Sequence, residues 1–362
     1  MLGQMIMVGF RGLEVKGDHP IVREIDGGRV GGVILFDYDE ALKSPVRNIS
    51  SPDQVHKLVA SLKVHGALPL IVAVDQEGGR VARLKRKQGF PPMPSARVLG
   101  ARDDSLYTER VADVTAKMLF DLGINLNLAP VVDLDRNPEN PVIGRADRSF
   151  SSNAAVVVRQ ARSFIKAHRE RGVRCVLKHF PGHGSSSGDT HNGAVDVTSL
   201  WSTEELAPYG ALIESGDAEA VMTAHIFNAR LDNSFPATLS KQTITGILRE
   251  RLGFNGVVIS DDLQMRAIRD HYGLDEAVEK AIGAGVDILL FGNNSVYEDY
   301  IASRVHEIMK KLVGEGKITR QRITESYRRI MKLKDSLRKV ESAELLRRFR
   351  SGGESPCSAP VA

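Results

Sequence analysis

Short apolar, β-branched runs recur along the chain at 5–10, 32–36, 70–75, 124–132, 173–180, 218–226, 256–261 and 286–291. Longer stretches between them bring apolar residues back at helical spacing, the pattern of βα units feeding a parallel sheet. Before the fourth run, Val111, Val114, Met118, Leu119 and Leu122 fall on one face of a predicted helix, and Gly123 stands where a left-handed C-cap belongs. Eight units in roughly 300 residues match the size of a (β/α)8 barrel. A doubly wound sheet would bring fewer strands and a glycine-rich phosphate turn after the first; the chain has neither GxGxxG nor a P-loop sequence. The expected architecture is therefore α/β, a single-domain (β/α)8 TIM barrel over 1–340, closed by the basic helical stretch 297–338. Residues 341–362 read as a helix end and a flexible tail, with Ser, Gly and Pro concentrated from Ser351 to Ala362.

Active sites of such barrels form where the strands end. Here the third run ends in Asp75-Gln76-Glu77, the fourth leads into Asp133, and the fifth ends in Lys178-His179. The sixth ends in His225, the seventh in Asp261-Asp262, and the eighth reaches Asn293-Asn294. Burying any of these unpaired costs several kcal/mol, so convergence on one cleft is the economical explanation. Asp189 and His191 stand two residues apart. In an extended segment both side chains project to the same side, where a carboxylate can orient an imidazole and stabilise its cation. The run from Gly184 to Gly188 has little apolar material to anchor it and reads as a mobile loop closing over a ligand. Single histidines such as His183 and His225 more often fix loops than touch substrate, and Trp201, the one tryptophan, is assigned a core or surface role.

Charge narrows the partners only slightly. There are 49 Lys plus Arg against 45 Asp plus Glu, an excess of four that gives little reason to expect nucleic acid. The basic stretches 320–338 and 347–350 read as solvated helix faces. No apolar run approaches the roughly eighteen residues of a membrane span. Two cysteines, Cys175 and Cys357, imply no disulfide framework, which fits a cytoplasmic location. Export to the periplasm or beyond is the alternative, because the apolar segment 6–10 begins almost at once, as if a leader had been trimmed. His179, His183, His191 and His225 with Asp75 or Asp261 could be read as a metal site, but no HExxH is present, and neither metal nor cofactor is expected. A monomer acting on a small molecule is the expected form.

Three segments carry a family resemblance: Val74-Asp75-Gln76-Glu77-Gly78-Gly79-Arg80, Lys178-His179-Phe180-Pro181-Gly182-His183-Gly184 followed by Asp189-Thr190-His191, and Ser260-Asp261-Asp262-Leu263-Gln264-Met265. With 137–150 as a fourth stretch, the chain resembles the β-N-acetylglucosaminidase branch of glycoside hydrolase family 3 from about Leu2 to the helices near 335. The lysine-histidine loop with its Asp-x-His is the most specific of these signals. The resemblance implies a retaining exo-enzyme that removes terminal N-acetylglucosamine from cell-wall or chitin-type glycans through a covalent glycosyl-aspartate. It implies Asp261 as nucleophile, His191 as acid/base and Asp189 as its partner, with Asp262 facing away into the next helix N-terminus. It further implies Asp75, Arg83, Arg148, Lys178 and His179 as hydrogen-bonding partners of the sugar ring. The run from Ile143 to Phe150 is two residues longer than the family's, so Arg145 competes with Arg148, although Ser149-Phe150 favours the latter. Three rival activities stay open: a phosphorylase using the same Asp and His, a non-catalytic glycan-binding protein, and a metal-dependent barrel hydrolase.

Overall fold

The computed structural model describes residues 1–350, with side chains through 337. Eight short strands lie inside the eight runs: β1 (Ile6–Gly9), β2 (Gly32–Leu35), β3 (Ile71–Val74), β4 (Leu126–Asn127), β5 (Arg174–Phe180), β6 (Ala220–Thr223), β7 (Val257–Ile259) and β8 (Leu289–Phe291). They pair in parallel in the order β7-β6-β5-β4-β3-β2-β1-β8. A parallel bridge between Ile259 and Ile288 closes the ring, so the fold is the expected TIM barrel. Every barrel strand is buried along its whole length. Packed side chains cover one face and helices the other, which is why the sequence shows continuous apolar runs and not period-two alternation.

The helix before β4 corrects the sequence reading at one residue, Val114. It spans Ser105–Asp121, capped by the Asp104 carboxylate accepting from Tyr107 N, and it ends at Gly123 with φ 78° as expected. Its buried residues are Thr108, Ala112, Thr115, Ala116 and Leu119, Val111 and Met118 pack against the core beside them and Leu122 is buried at the C-cap, whereas Val114 is 53% exposed. The neighbouring helix Ala154–Glu170 lies against it, and Thr108 donates to the buried Gln160 there at 2.5 Å. Close helix packing adds small residues and one satisfied polar pair to the face that the larger apolar side chains mark.

At the β7–β8 seam the side chains do part of the sheet's work. Ile288 N and Asp287 N donate to Val258 O, Ser260 N donates to Ile288 O, and Leu290 N donates to the Ser260 hydroxyl. The fully buried Asp287 carboxylate accepts from Val258 N at 3.0 Å, Arg249 Nη2 at 2.6 Å, Ser326 Oγ at 2.7 Å and Arg322 Nη2 at 3.0 Å. Arg322 and Ser326 belong to the last helix, Arg320–Arg350. Lys334 of that helix is buried beneath the barrel and donates to Gln4 Oε1, Gly31 O and Pro69 O. Part of the basic C-terminal stretch thus closes the barrel floor and is not a solvated face. The sequence assignments to Cys357 and the tail 351–362 lie outside the described residues. No helix among the described residues is long and apolar enough to cross a membrane.

Removing the seam carboxylate strands buried arginines and a backbone N–H. Asp287→Ala should therefore lower the unfolding free energy by about 3–5 kcal/mol in urea titrations. A loss below about 1 kcal/mol would show that the seam does not depend on it.

Candidate active site

The segment after β3 folds into a small hairpin, Gln76–Gly78 against Val81–Ala82, which brings Arg83 N back to Asp75 O at 3.2 Å. Gly78 is required in it: φ is 100°, and a Cβ there would lie 2.2 Å from Pro94 O. The hairpin sets two carboxylates at the barrel mouth. Lys178 Nζ, on β5, donates to Asp75 Oδ1 and Glu77 Oε1, both at 2.7 Å. Arg148 grips Glu77 through Nε at 2.8 Å and Nη2 at 2.7 Å, and Arg83 Nη2 stands 3.4 Å from Asp75 Oδ2. Burial alone would push the Asp75 and Glu77 carboxyls up. The adjacent cations outweigh it and hold both below the ordinary range, Lys178 chiefly for Asp75 and Arg148 chiefly for Glu77.

The pairing of β5 with β6 shifts between Leu177 and Phe180, and the consecutive Lys178 and His179 both reach the hollow at the mouth. His179 Nδ1 is 2.7 Å from Asp133 Oδ2, and its Nε2 is 3.2 Å from Arg148 Nη2. These partners assign the tautomer, with Nδ1 donating and Nε2 accepting. Asp133, wholly buried in the segment after β4, also accepts from His179 N and His183 N. One carboxylate therefore fixes two points of the lysine-histidine loop.

Asp261 and Asp262 follow β7 and have opposite environments. Asp261 Oδ1 accepts only from Asp262 N, at 2.8 Å, among the described residues. Burial raises its carboxyl, but His225, His179 and His191 more than offset that and leave it below the usual value, hence ionised. Asp262 is pushed up to about 6, mainly by burial, and accepts from Gln264 N and Gly292 N at 3.0 and 2.9 Å. The first amide precedes the short helix Arg266–Arg269 and the second follows β8, so neither belongs to that helix, and Asp262 still lines the hollow, which amends the expectation that it faces away. Two neighbouring carboxyls with values driven apart are an arrangement suited to one anion and one structural acid.

His191 reaches the site from a turn, not from the extended segment the sequence suggested. Asn192 N donates to Asp189 O at 2.9 Å, and the Asp189 carboxylate accepts from His191 N at 2.9 Å. Such an Asx turn is what an aspartate two residues before its donor favours. The same oxygen lies 2.8 Å from His191 Nδ1, so the expected pair forms by a different local route and leaves Nε2 as the nitrogen that can exchange a proton with a ligand. Ala267 N donates to Thr190 O at 3.2 Å and ties the turn to the segment after Asp261. The ring is 67% exposed, and its value is raised, first by the hydrogen bond to Asp189 and also by the charge of Asp261.

The loop before this turn is anchored through polar contacts. Asn140 Nδ2 donates to His183 O at 2.7 Å and to Ser186 Oγ at 3.1 Å, and Asn137 Nδ2 donates to Ser186 O at 2.9 Å. Ser185 and Ser186 are buried, so a count of apolar residues misjudged this half of the loop. His183 sits behind the site with Nδ1 2.7 Å from Ser186 Oγ, and burial pushes its value down to about 4. His225 braces Asp262 O at 2.9 Å, and Trp201 is buried with Nε1 donating to Pro181 O at 3.2 Å. Asn293 and Asn294 pin loops: Asn293 Nδ2 donates to Gly9 O, and Asn294 Oδ1 accepts from Glu40 N and Arg47 Nη1.

Asp75, Arg83, Arg148, Lys178, His179, His191 and Asp261 all line one hollow of about 190 Å³ at the mouth, while Asp189 stands behind His191. A larger hollow of about 630 Å³, between the helices Gln242–Arg251 and Leu274–Ala284, lies on the outer layer with scattered lysines and glutamates. The smaller one is the candidate site, because charged groups of several strand ends converge there. Arg148 is 13% exposed inside it, whereas Arg145 is 64% exposed and pairs outside with Glu139, so of the two only Arg148 lines the hollow. Sequence reasoning left Glu77 and Asp133 without a role. Their signal was a carboxylate at or just past a strand end, but their partners lie 71 and 46 residues away. Among the described residues no three His, Cys, Asp or Glu side chains gather with metal-ligand geometry.

Residues 1–333 match the family model described as the glycosyl hydrolase family 3 N terminal domain. The chain is 34% identical to Beta-hexosaminidase A of Pseudoalteromonas piscicida, over 93% of this chain and 61% of that protein. It is 36% identical to a Beta-hexosaminidase of Xylella fastidiosa, over 83% and 86% of the two chains. Among solved structures, a glycoside hydrolase family 3 β-N-acetylglucosaminidase from Paenibacillus superposes with a TM-score of 0.84 at 34% identity, covering 100% of this chain and 64% of its own. A Beta-N-acetylhexosaminidase from Beutenbergia cavernae gives 0.82 at 29% identity, covering 92% and 97%. The chain thus spans less than two thirds of the Pseudoalteromonas and Paenibacillus proteins.

The two arginines give a direct contrast. Arg145→Ala, at an exposed pair, should change unfolding free energy by no more than about 1 kcal/mol. Arg148→Ala leaves the buried Glu77 carboxylate with Lys178 alone and should cost about 3–5 kcal/mol in the same denaturant titration. Equal effects would contradict the placement.

Proposed function

Because the chain belongs to glycosyl hydrolase family 3, we propose that it is a retaining exo-β-N-acetylglucosaminidase working through Asp261 and His191. The observation that carries this reading is the shared hollow: an ionised carboxylate and an Asp189-oriented imidazole face it together with five charged or polar ring-binding candidates. Asp75, Arg83, Arg148, Lys178 and His179 hold the hydroxyls of the terminal sugar. Their mutual ion pairs fix them before substrate arrives, so little reorganisation accompanies binding. Asp261, with one oxygen held by Asp262 N, attacks the anomeric carbon and forms a glycosyl ester. His191 Nε2 gives its proton to the departing oxygen as that bond breaks. In the second half it takes a proton from water, whose oxygen attacks the anomeric carbon and frees the Asp261 carboxylate.

Named relatives act as β-hexosaminidases and β-N-acetylglucosaminidases. For this chain the proposed substrates are cell-wall-derived or chitin-type glycans ending in N-acetylglucosamine, taken up by a monomeric cytoplasmic enzyme. A histidine acid/base, uncharged after its proton has left, would not repel phosphate as a carboxylate does, so phosphorolysis is the second reading.

Aryl glycosides differing at the 2-position, assayed with and without phosphate, test the proposal. Preference for the 2-acetamido sugar, free sugar as the product in both buffers, and a loss on the order of 10⁴-fold in Asp261→Ala are expected. Near-normal turnover of that variant, or sugar phosphate as the product, would overturn the nucleophile or the hydrolytic assignment respectively.

For the acid, His191→Ala should slow substrates with poor leaving groups by about 10²–10⁴-fold and barely affect activated ones. The raised value of His191 places the alkaline limb of kcat/KM above its ordinary value near 6.5, since the group must be protonated to act. Asp189→Asn weakens the leading raising contact, so that limb should move to lower pH. Equal losses on all leaving groups, or a limb that stays in place, would remove His191 from the acid role.

A further inference from the structure

Behind the lysine-histidine loop lies a carboxyl that the proposed reaction does not use. Glu205 is 1% exposed, in the short turn Thr203–Leu206 that follows Trp201. Its Oε2 accepts from Gly184 N at 3.0 Å. Gly182, at φ 120°, lies so close that a Cβ there would stand 2.5 Å from the Glu205 side chain. Trp201 Nε1 donates to Pro181 O, so the segment 201–205 grips the loop at two points. Neighbouring Glu204 turns outward to Arg136.

We propose that Glu205 is a positioning residue for the catalytic loop: as an uncharged carboxylic acid it clamps residues 181–184 from behind, and its ionisation loosens the clamp. The reasons are geometric. The groups facing Glu205 are Gly184 and Ser185 of the loop, the Asp133 carboxylate in the segment after β4, and Tyr209 on the helix Ala207–Glu214, and none is a cation. His183, on the same loop, is given to Asp133 and Ser186. Glu205 Oε1, Ser185 Oγ and Tyr209 OH are buried without a hydrogen-bond partner among the described residues; the Ser185 hydroxyl acts on Glu205 without reaching bonding geometry. A neutral carboxyl still accepts from Gly184 N through Oε2 and keeps a proton on Oε1 for those oxygens. A carboxylate would stand desolvated beside a second anion.

Burial in this setting raises the Glu205 carboxyl to about 7. The sign follows: the folded protein holds this proton more tightly than the unfolded chain, so the clamp is intact on the acid side and weakens as pH rises through that value. Because Asp133 joins His183 N to His179 N, displacement of Gly184 reaches the ring-binding histidine and, further along the chain, the Asp189–His191 turn.

The single tryptophan supplies a readout that needs no enzymatic activity. Trp201 emission, followed in the full-length protein from mildly acid to mildly alkaline pH, should show a transition near pH 7. In Glu205→Gln, an uncharged mimic, the trace should be flat, with acid-side kcat/KM within about twofold of the wild type. The activity arm rests on the glycosidase reading, whereas the fluorescence arm stands without it. A purely structural glutamate would give no such pH-dependent difference between the two traces. A wild-type trace without a transition, or a Glu205→Gln protein that keeps it, overturns the proposal. Should that variant fail to fold, His191→Ala decides: a persisting transition supports Glu205, and its loss assigns the transition to His191.

Discussion

An ammonium group at the top of a closed barrel, as nearly buried as Lys178, is tolerable only if anions are built around it. Asp75 and Glu77 supply them from the hairpin after β3, and Arg148 balances the second carboxylate from the long segment after β4. None of these charges can move alone without stranding another in a poorly hydrated place. The lattice therefore welds three stretches of chain into one rigid wall, and what remains unused on Asp75, Arg83 and His179 is presented to the hollow. Asp133 does the same for the backbone, holding His179 N and His183 N.

The opposite wall is made differently. Among the described residues Asp261 has one hydrogen bond, and its charge is stabilised by surrounding histidines, while Asp262 accepts from two backbone amides and is driven upward by burial. His191 is exposed, on a turn tethered by Ala267 N. A rigid wall for recognition, a sparsely bonded anion and an accessible imidazole are the parts that the proposed retaining reaction calls for.

The barrel was legible because its strands are buried on both faces and so appear as uninterrupted Val, Ile and Leu runs. The main site residues were legible because they fall at the ends of those runs or within motifs. What escaped depends on partners distant in sequence. Glu77 is explained by Arg148, Asp133 by His179, and Glu205 by Gly184, none of which local pattern can pair. The helix Ser105–Asp121 misled at Val114 alone, because small and polar residues such as Ala112 and Thr108 complete its contact face in place of that valine. The Asp189–His191 pair was anticipated on the wrong backbone: spacing by two fits a strand and an Asx turn alike, and only the Asn192 N to Asp189 O bond tells them apart. The loop 184–186 looked unanchored because its anchors, Asn137 and Asn140, act through hydrogen bonds from another segment.

The central claim is that Asp261 becomes covalently attached to the sugar. Incubating the protein with a fluorinated N-acetylglucosaminyl donor that forms the intermediate quickly and releases it slowly, then mapping peptides by mass spectrometry, tests this directly. The account predicts one sugar residue on the peptide containing Asp261. Substrate turnover with no adduct, or an adduct on Asp262 or any other residue, would contradict it.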